Sequence, residues 1–203
     1  METQYERLIQ ENLTAFRSRG PDDAEQSLGA RSESDGFHLR AFGEDCVLEP
    51  GGVTLSGERA RDPKALLISL YALNSRPEAV LLEPFKAFRD LPGSMPYQGA
   101  FRANTEQILV PHVPDIEKKE KEITEAFSGE KEMQGTSGGD LSFILYPLPK
   151  IALKYILYFP DEEFPASVTC LFSANALSFM PLDGLADVAE YTSRAVLGLI
   201  RAG

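Results

Sequence analysis

The chain has no tryptophan, two cysteines and two histidines among its 203 residues. Each shortage removes a class of chemistry. Cys46 and Cys170 form no CxxC pair and belong to no Cys/His cluster, so the spacing encodes neither a zinc site nor a dithiol redox motif. They are expected as reduced thiols inside strands, because nothing marks an oxidising compartment. A Ser-His-Asp or Cys-His arrangement needs a histidine to take the proton. Only His38 and His112 are available, and no GxSxG elbow accompanies them. Both are read as structural or surface residues. The lack of tryptophan removes a common sugar-stacking surface, and no cleft or fixed carboxylate separation is visible for glycoside chemistry.

A long uninterrupted apolar run is also missing. The longest stretch, residues 141–159, is broken by Pro147, Pro149, Lys150 and Lys154. That pattern predicts two strands joined near the prolines rather than a membrane span. The first residues, Met1 to Glu6, are polar and acidic, unlike a signal peptide. A cytoplasmic location is the expectation.

Negative charge is in excess. There are 31 Asp and Glu against 20 Lys and Arg, a net charge of −11. Such a surface repels phosphate backbones, which argues against a nucleic-acid partner and suits a basic one.

The patterning predicts one α+β domain over residues 1–203, an antiparallel β-sheet packed by several α-helices. Thr3 and Glu6 read as a capping box, followed by an apolar face of Tyr5, Leu8, Ile9, Leu13 and Phe16 in a helix within residues 1–20. Gly20-Pro21 ends it, a short helix over 22–28 closes at Gly29, and 31–36 reads as a polar loop. Residues 37–56 read as a three-stranded meander turning at Glu49-Pro50-Gly51-Gly52. Residues 62–128 are mainly helical, starting at the Asp62-Pro63 cap and proline. Within them Phe85 and Phe88 are expected to pack inward. Residues 115–127 form a charged helix with opposite charges four apart: Asp115/Lys119, Glu117/Lys121 and Lys118/Glu122. Its thin stripe of Ile116, Ile123 and Phe127 is read as that of a solvated surface helix, the alternative being a partner-docking face.

Residues 140–173 alternate with the period of a sheet and supply three core strands. Leu182, Leu185, Val188, Ala189, Thr192, Val196 and Leu199 then keep helical spacing through 181–201. The run 128–139 is rich in Gly, Ser and Thr; its segment 135–140 lacks the Gly-Lys-Ser/Thr of a Walker loop and a complete GxGxxG fingerprint, and is read as a flexible loop.

One segment breaks the apolar region in an unusual way: Asp161-Glu162-Glu163-Phe164-Pro165. Burying unpaired carboxylates is costly, so this run must meet water, a cation or hydrogen-bond donors. Three readings stay open. It is a structural turn whose carboxylates accept backbone N–H groups, the acidic edge of a ligand or partner site, or, with Asp140, a set of hard oxygen ligands for magnesium or calcium. The spacing does not match an EF-hand, and no residue is assigned as a metal ligand. Arg89, in Phe88-Arg89-Asp90-Leu91, is a candidate counter-ion, since a guanidinium fits carboxylate geometry. The alternative is an exposed arginine at a helix end.

Gly139-Asp140, Pro147-Leu148-Pro149, the Asp161-to-Ala166 block and Leu171-Phe172 together resemble an uncharacterised prokaryotic family, domain of unknown function 3786. Ser27-Leu28-Gly29-Ala30 and Phe88-Arg89-Asp90-Leu91 are weaker echoes, and the likeness spans roughly residues 20–200. The resemblance implies an origin in anaerobic bacteria or archaea. It also implies relatives that carry an added iron–sulfur or corrinoid-linked segment. Two cysteines are too few for this chain to hold such a cluster itself. The family brings no activity or cofactor with it.

The sequence therefore predicts a non-catalytic binding or accessory domain. Asp140, Asp161, Glu162, Glu163 and Arg89 are its candidate residues for a protein or small-molecule ligand. A metal-assisted enzyme using the clustered carboxylates, or a purely structural turn, is the alternative.

Overall fold

A computed structural model describes residues 4–20, 23–132 and 138–202. Thr3, Pro21, Asp22 and residues 135–137 of the glycine-rich run lie outside the described residues. Helix α1 (Gln4–Ser18) buries Ile9, Leu13 and Phe16, three residues of the expected face. Helix α2 (Ala24–Leu28) ends at Gly29 with φ 64°, a left-handed cap. A Cβ there would stand 2.7 Å from the Pro149 side chain, so glycine also allows a close approach.

Five strands follow: β1 (Arg31–Ser32), β2 (Phe37–Ala41), β3 (Glu44–Glu49), β4 (Gly52–Leu55) and β5 (Glu58–Ala60). They form an antiparallel sheet in chain order. The expected meander of three strands is thus a sheet of five. Residues 31–32 of the expected polar loop pair with β2, and 58–60 pair with β4. Both added strands are short edges whose side chains are exposed apart from half-buried Ala60, so no alternation marks them in the sequence.

Helix α3 (Pro63–Asn74) begins as expected, the Asp62 carboxylate accepting from Ala65 N–H at 3.1 Å. Then come β6 (Lys86–Ala87), a 3₁₀ turn over Phe88–Asp90, α4 (Gln98–Phe101) and a π-helical segment over Arg102–Gln107. Phe88 is buried and Phe85 half-buried. The expected helix over 115–127 is two helices, α5 (Val113–Lys118) and α6 (Glu120–Ala126), broken at Lys119. The break changes the pairing: Lys118 meets Asp115, Lys119 meets Glu122 and Lys121 meets Glu125. Ile116, Ile123 and Phe127 are buried in the core, so the stripe is an internal contact and not a docking face.

The second sheet runs β6-β10-β9-β8-β7, with β7 (Glu130–Lys131), β8 (Leu141–Leu148), β9 (Ile151–Tyr158) and β10 (Ser167–Phe172) all antiparallel to their neighbours. The three expected core strands are its centre. Helix α7 (Leu182–Arg201) crosses its inner face. There Tyr155 Oη lies 3.0 Å from Ser193 Oγ, and Leu185, Val188, Ala189 and Val196 are buried. Each of the buried leucine and valine side chains contributes about 1.5–3 kcal/mol.

β9 is buried on both faces up to Leu157. On the outer face Lys154 lies 2.9 Å from Glu132 and 3.8 Å from Glu83, with the Phe85 ring 4.9 Å away. Its charge is matched where it is buried, as a sheet interior requires. The sheets are joined where Phe42 N–H donates to the Pro147 carbonyl at 2.7 Å, and one continuous cluster of buried side chains draws on both.

Candidate functional site: the acidic turn and the half-buried Glu106

The acidic run 161–165 connects β9 to β10, between two strands whose register fixes its ends: Tyr158 pairs with Ser167. Asp161 organises the turn. Its Oδ1 accepts from Glu163 N–H at 2.8 Å and from Phe164 N–H at 2.7 Å, and its own N–H donates to the Phe164 carbonyl at 3.0 Å. This is the local side-chain-to-backbone pattern for which aspartate is suited. The donated bonds, Phe164 first and then Glu163, hold the Asp161 carboxyl below the usual aspartate range.

Asp140 serves the same turn from the other side. Its Oδ2 accepts from Phe159 N–H at 2.6 Å, while its N–H donates to the Leu157 carbonyl at 2.8 Å. Gly139 makes this approach possible. Its φ is +78°, and a Cβ would stand 2.6 Å from Ile156 Cγ2. Asp140 and Asp161 are thus brought to one turn as backbone acceptors. Glu162, Glu163 and Phe164 remain exposed at its tip, Phe164 by 66%. Among the described residues, a set of three His, Cys or carboxylate groups with ligand atoms within 4.8 Å of one another occurs at Glu33, Asp35 and His38, not at this turn.

Arg89 sits elsewhere. It is an exposed residue of the 3₁₀ turn, 3.8 Å from Asp90, and its charge acts on Glu106 rather than on the acidic turn.

Glu106 is a residue that sequence reading missed. It lies on the π-helical segment and reaches β10, where Oε1 accepts from Cys170 N–H at 3.0 Å. β6 pairs with β10 only at Leu171 and Phe172, so the carboxylate takes the place that a longer edge strand would fill. Burial pushes its pKa up, opposed by the Cys170 N–H and the charges of Arg102 and Arg89. Beneath it, Cys170 meets the Tyr155 hydroxyl, which in turn meets Ser193. Burial holds the Cys170 thiol and the Tyr155 hydroxyl protonated, and pushes the Cys46 thiol up to about 12. Both thiols are free and buried in strands, as expected, and neither is a nucleophile at neutral pH. Thr105 Oγ1, beside Glu106 in sequence, is buried with no hydrogen-bond partner among the described residues. A π-helical turn often marks a functional place, but no spacing in the sequence announces one.

Fold and site together define an α+β protein of two antiparallel sheets, with an acidic turn latched from within. The family described as Domain of unknown function (DUF3786) matches residues 20–195, and the chain belongs to it. No curated protein and no solved structure matches the chain. Among the described residues no helix is long and apolar enough to cross a membrane.

Proposed function

We propose that the chain is a non-catalytic binding or accessory domain that presents the β9–β10 turn to a protein partner, in the cytoplasm. The observation that carries this reading is the division of labour within the turn. Asp161 and Asp140 are engaged with backbone N–H groups, while Glu162, Glu163 and Phe164 are held outward on the scaffold they create. An exposed phenylalanine flanked by carboxylates suits a partner with an apolar pocket rimmed by basic residues. The chain's net charge of −11 favours the same partner. The metal-assisted alternative is less favoured, since Asp140 and Asp161 already accept main-chain hydrogen bonds.

A photoreactive phenylalanine analogue at position 164, introduced in the native host, tests the proposal. We expect a salt-sensitive adduct with one basic protein, lost in E162K/E163K, while E162A and E163A melt like the wild type. D161A is expected to lower the melting temperature and D161N to keep it, because the amide oxygen preserves the acceptor. An adduct no stronger than that from an analogue at exposed Glu58, or one unchanged in E162K/E163K, removes the partner-binding reading. The turn is then structural only.

A further inference from the structure

Beyond the acidic turn, the β1–β2 hairpin carries a different arrangement of donors. Glu33 and Gly36 close the hairpin through two main-chain bonds, Glu33 N–H to the Gly36 carbonyl at 2.8 Å and Gly36 N–H to the Glu33 carbonyl at 3.3 Å. Gly36 is fixed there because a Cβ would stand 2.3 Å from the Leu48 carbonyl oxygen. The hairpin thereby sets Glu33 and Asp35 beside His38, the second residue of β2, opposite Arg31 in β1 and Val47 in β3. His38 Nε2 lies 2.8 Å from Asp35 Oδ1 and 3.8 Å from Glu33 Oε2. All three ligand atoms lie within 4.8 Å of one another.

We propose that Glu33, Asp35 and His38 form a binding site for a divalent transition metal ion of the zinc type. The imidazole distinguishes this group from the carboxylate runs elsewhere on the surface. A neutral ring nitrogen is a borderline ligand that suits zinc, cobalt or nickel, whereas magnesium and calcium prefer oxygen alone. The dimensions agree. With bonds of about 2.0–2.2 Å, a tetrahedral zinc ion holds its ligand atoms about 3.3 Å apart. The two measured separations from Nε2, 2.8 and 3.8 Å, lie on either side of that value. Side-chain shifts of about 0.5 Å, small for exposed groups, bring the donors onto one ion. Coordination through Nε2 places the ring proton on Nδ1. Three protein donors leave a fourth position open to water or to a side chain of another molecule.

The competing state is an ion pair in which an imidazolium meets the two carboxylates without any metal. Titration calorimetry of the full chain with zinc chloride, and visible absorption with cobalt(II) chloride, separate the two. We expect one ion per chain. Removing a donor is expected to weaken binding at least about tenfold in H38A and in E33Q/D35N. The three side chains are exposed or partly exposed, so both variants should melt like the wild type in EDTA. Magnesium chloride should bind far more weakly than zinc chloride. The site is overturned by no zinc binding at millimolar concentration, by affinity unchanged in H38A, or by equal affinity for zinc and magnesium.

Discussion

Glu106 is held at a cost to the fold. Because burial raises its pKa, the folded chain binds that proton more tightly than the unfolded chain. Its contribution to stability therefore falls as pH rises from the ordinary carboxyl value through the raised one, and returns on acidification. Urea denaturation of E106Q and wild type at pH 5 and pH 8 reads this out. Glutamine keeps an oxygen for Cys170 N–H, so E106Q should equal or exceed the wild type at pH 8 and lose that advantage at pH 5. E106A strands the buried N–H and should lose about 1–3 kcal/mol at both. A wild type more stable than E106Q at pH 8 would show that the charge itself supports the fold. At this scale the sequence is nearly silent. Glu106 and Cys170 stand 64 residues apart, and only the folded chain joins them. The Glu33, Asp35 and His38 spacing was in plain view, but its convergence depends on a hairpin beginning in a two-residue strand.

The elements were legible where one periodicity extends over several residues. Strand β9 alternates for eight residues, β8 alternates as far as its irregularity between Leu145 and Leu148, and α7 keeps its apolar face for 20. The two-residue strands β1, β6 and β7 exist only through their neighbours' hydrogen bonds, so their side chains carry no pattern. The break at Lys119 was likewise hidden, since the charges fit a continuous helix as well as two. Turn chemistry offers a test. Phe42-Gly43 and Ser56-Gly57 both take positive φ at both positions, 51° and 81° in the first, 49° and 83° in the second. Each joins paired strand ends, the geometry that prefers Asn-Gly. Ser56 has no buried role, so S56N should gain about 0.5 kcal/mol in chemical denaturation. Phe42 tolerates the same backbone because its ring is buried against Tyr191, 6.4 Å between centroids. F42A should therefore lose about 3 kcal/mol despite relieving nothing but bulk. A neutral S56N would mean that its Oγ bond to Glu44, 2.9 Å, matters as much as the turn.

At the scale of the molecule, the question is whether two sheets make one folding unit. Their side chains belong to one continuous cluster, with Leu48 and Val53 from the first sheet and Leu145 and Leu153 from the second. Main-chain and side-chain bonds cross between distant parts: Phe42 N–H to the Pro147 carbonyl, Tyr71 Oη to the Leu28 carbonyl at 2.7 Å, and Lys150 Nζ to the Arg76 and Glu78 carbonyls. Removing either sheet would expose the apolar face of the other, and removing the second would strand the Phe42 N–H without the Pro147 carbonyl, at about 1–3 kcal/mol for a buried group left unpaired. Neither half then has a stable intermediate to occupy, and the transition should be shared. Fluorine-labelled phenylalanine follows this directly. Phe37 and Phe42 report on the first sheet, Phe143 and Phe172 on the second. We expect all four signals to disappear at one guanidinium concentration, with F42A moving the midpoints of the remaining three, Phe37, Phe143 and Phe172, together. Two separated midpoints, or a shift in F42A confined to Phe37, would divide the chain into two units at the Phe42–Pro147 junction.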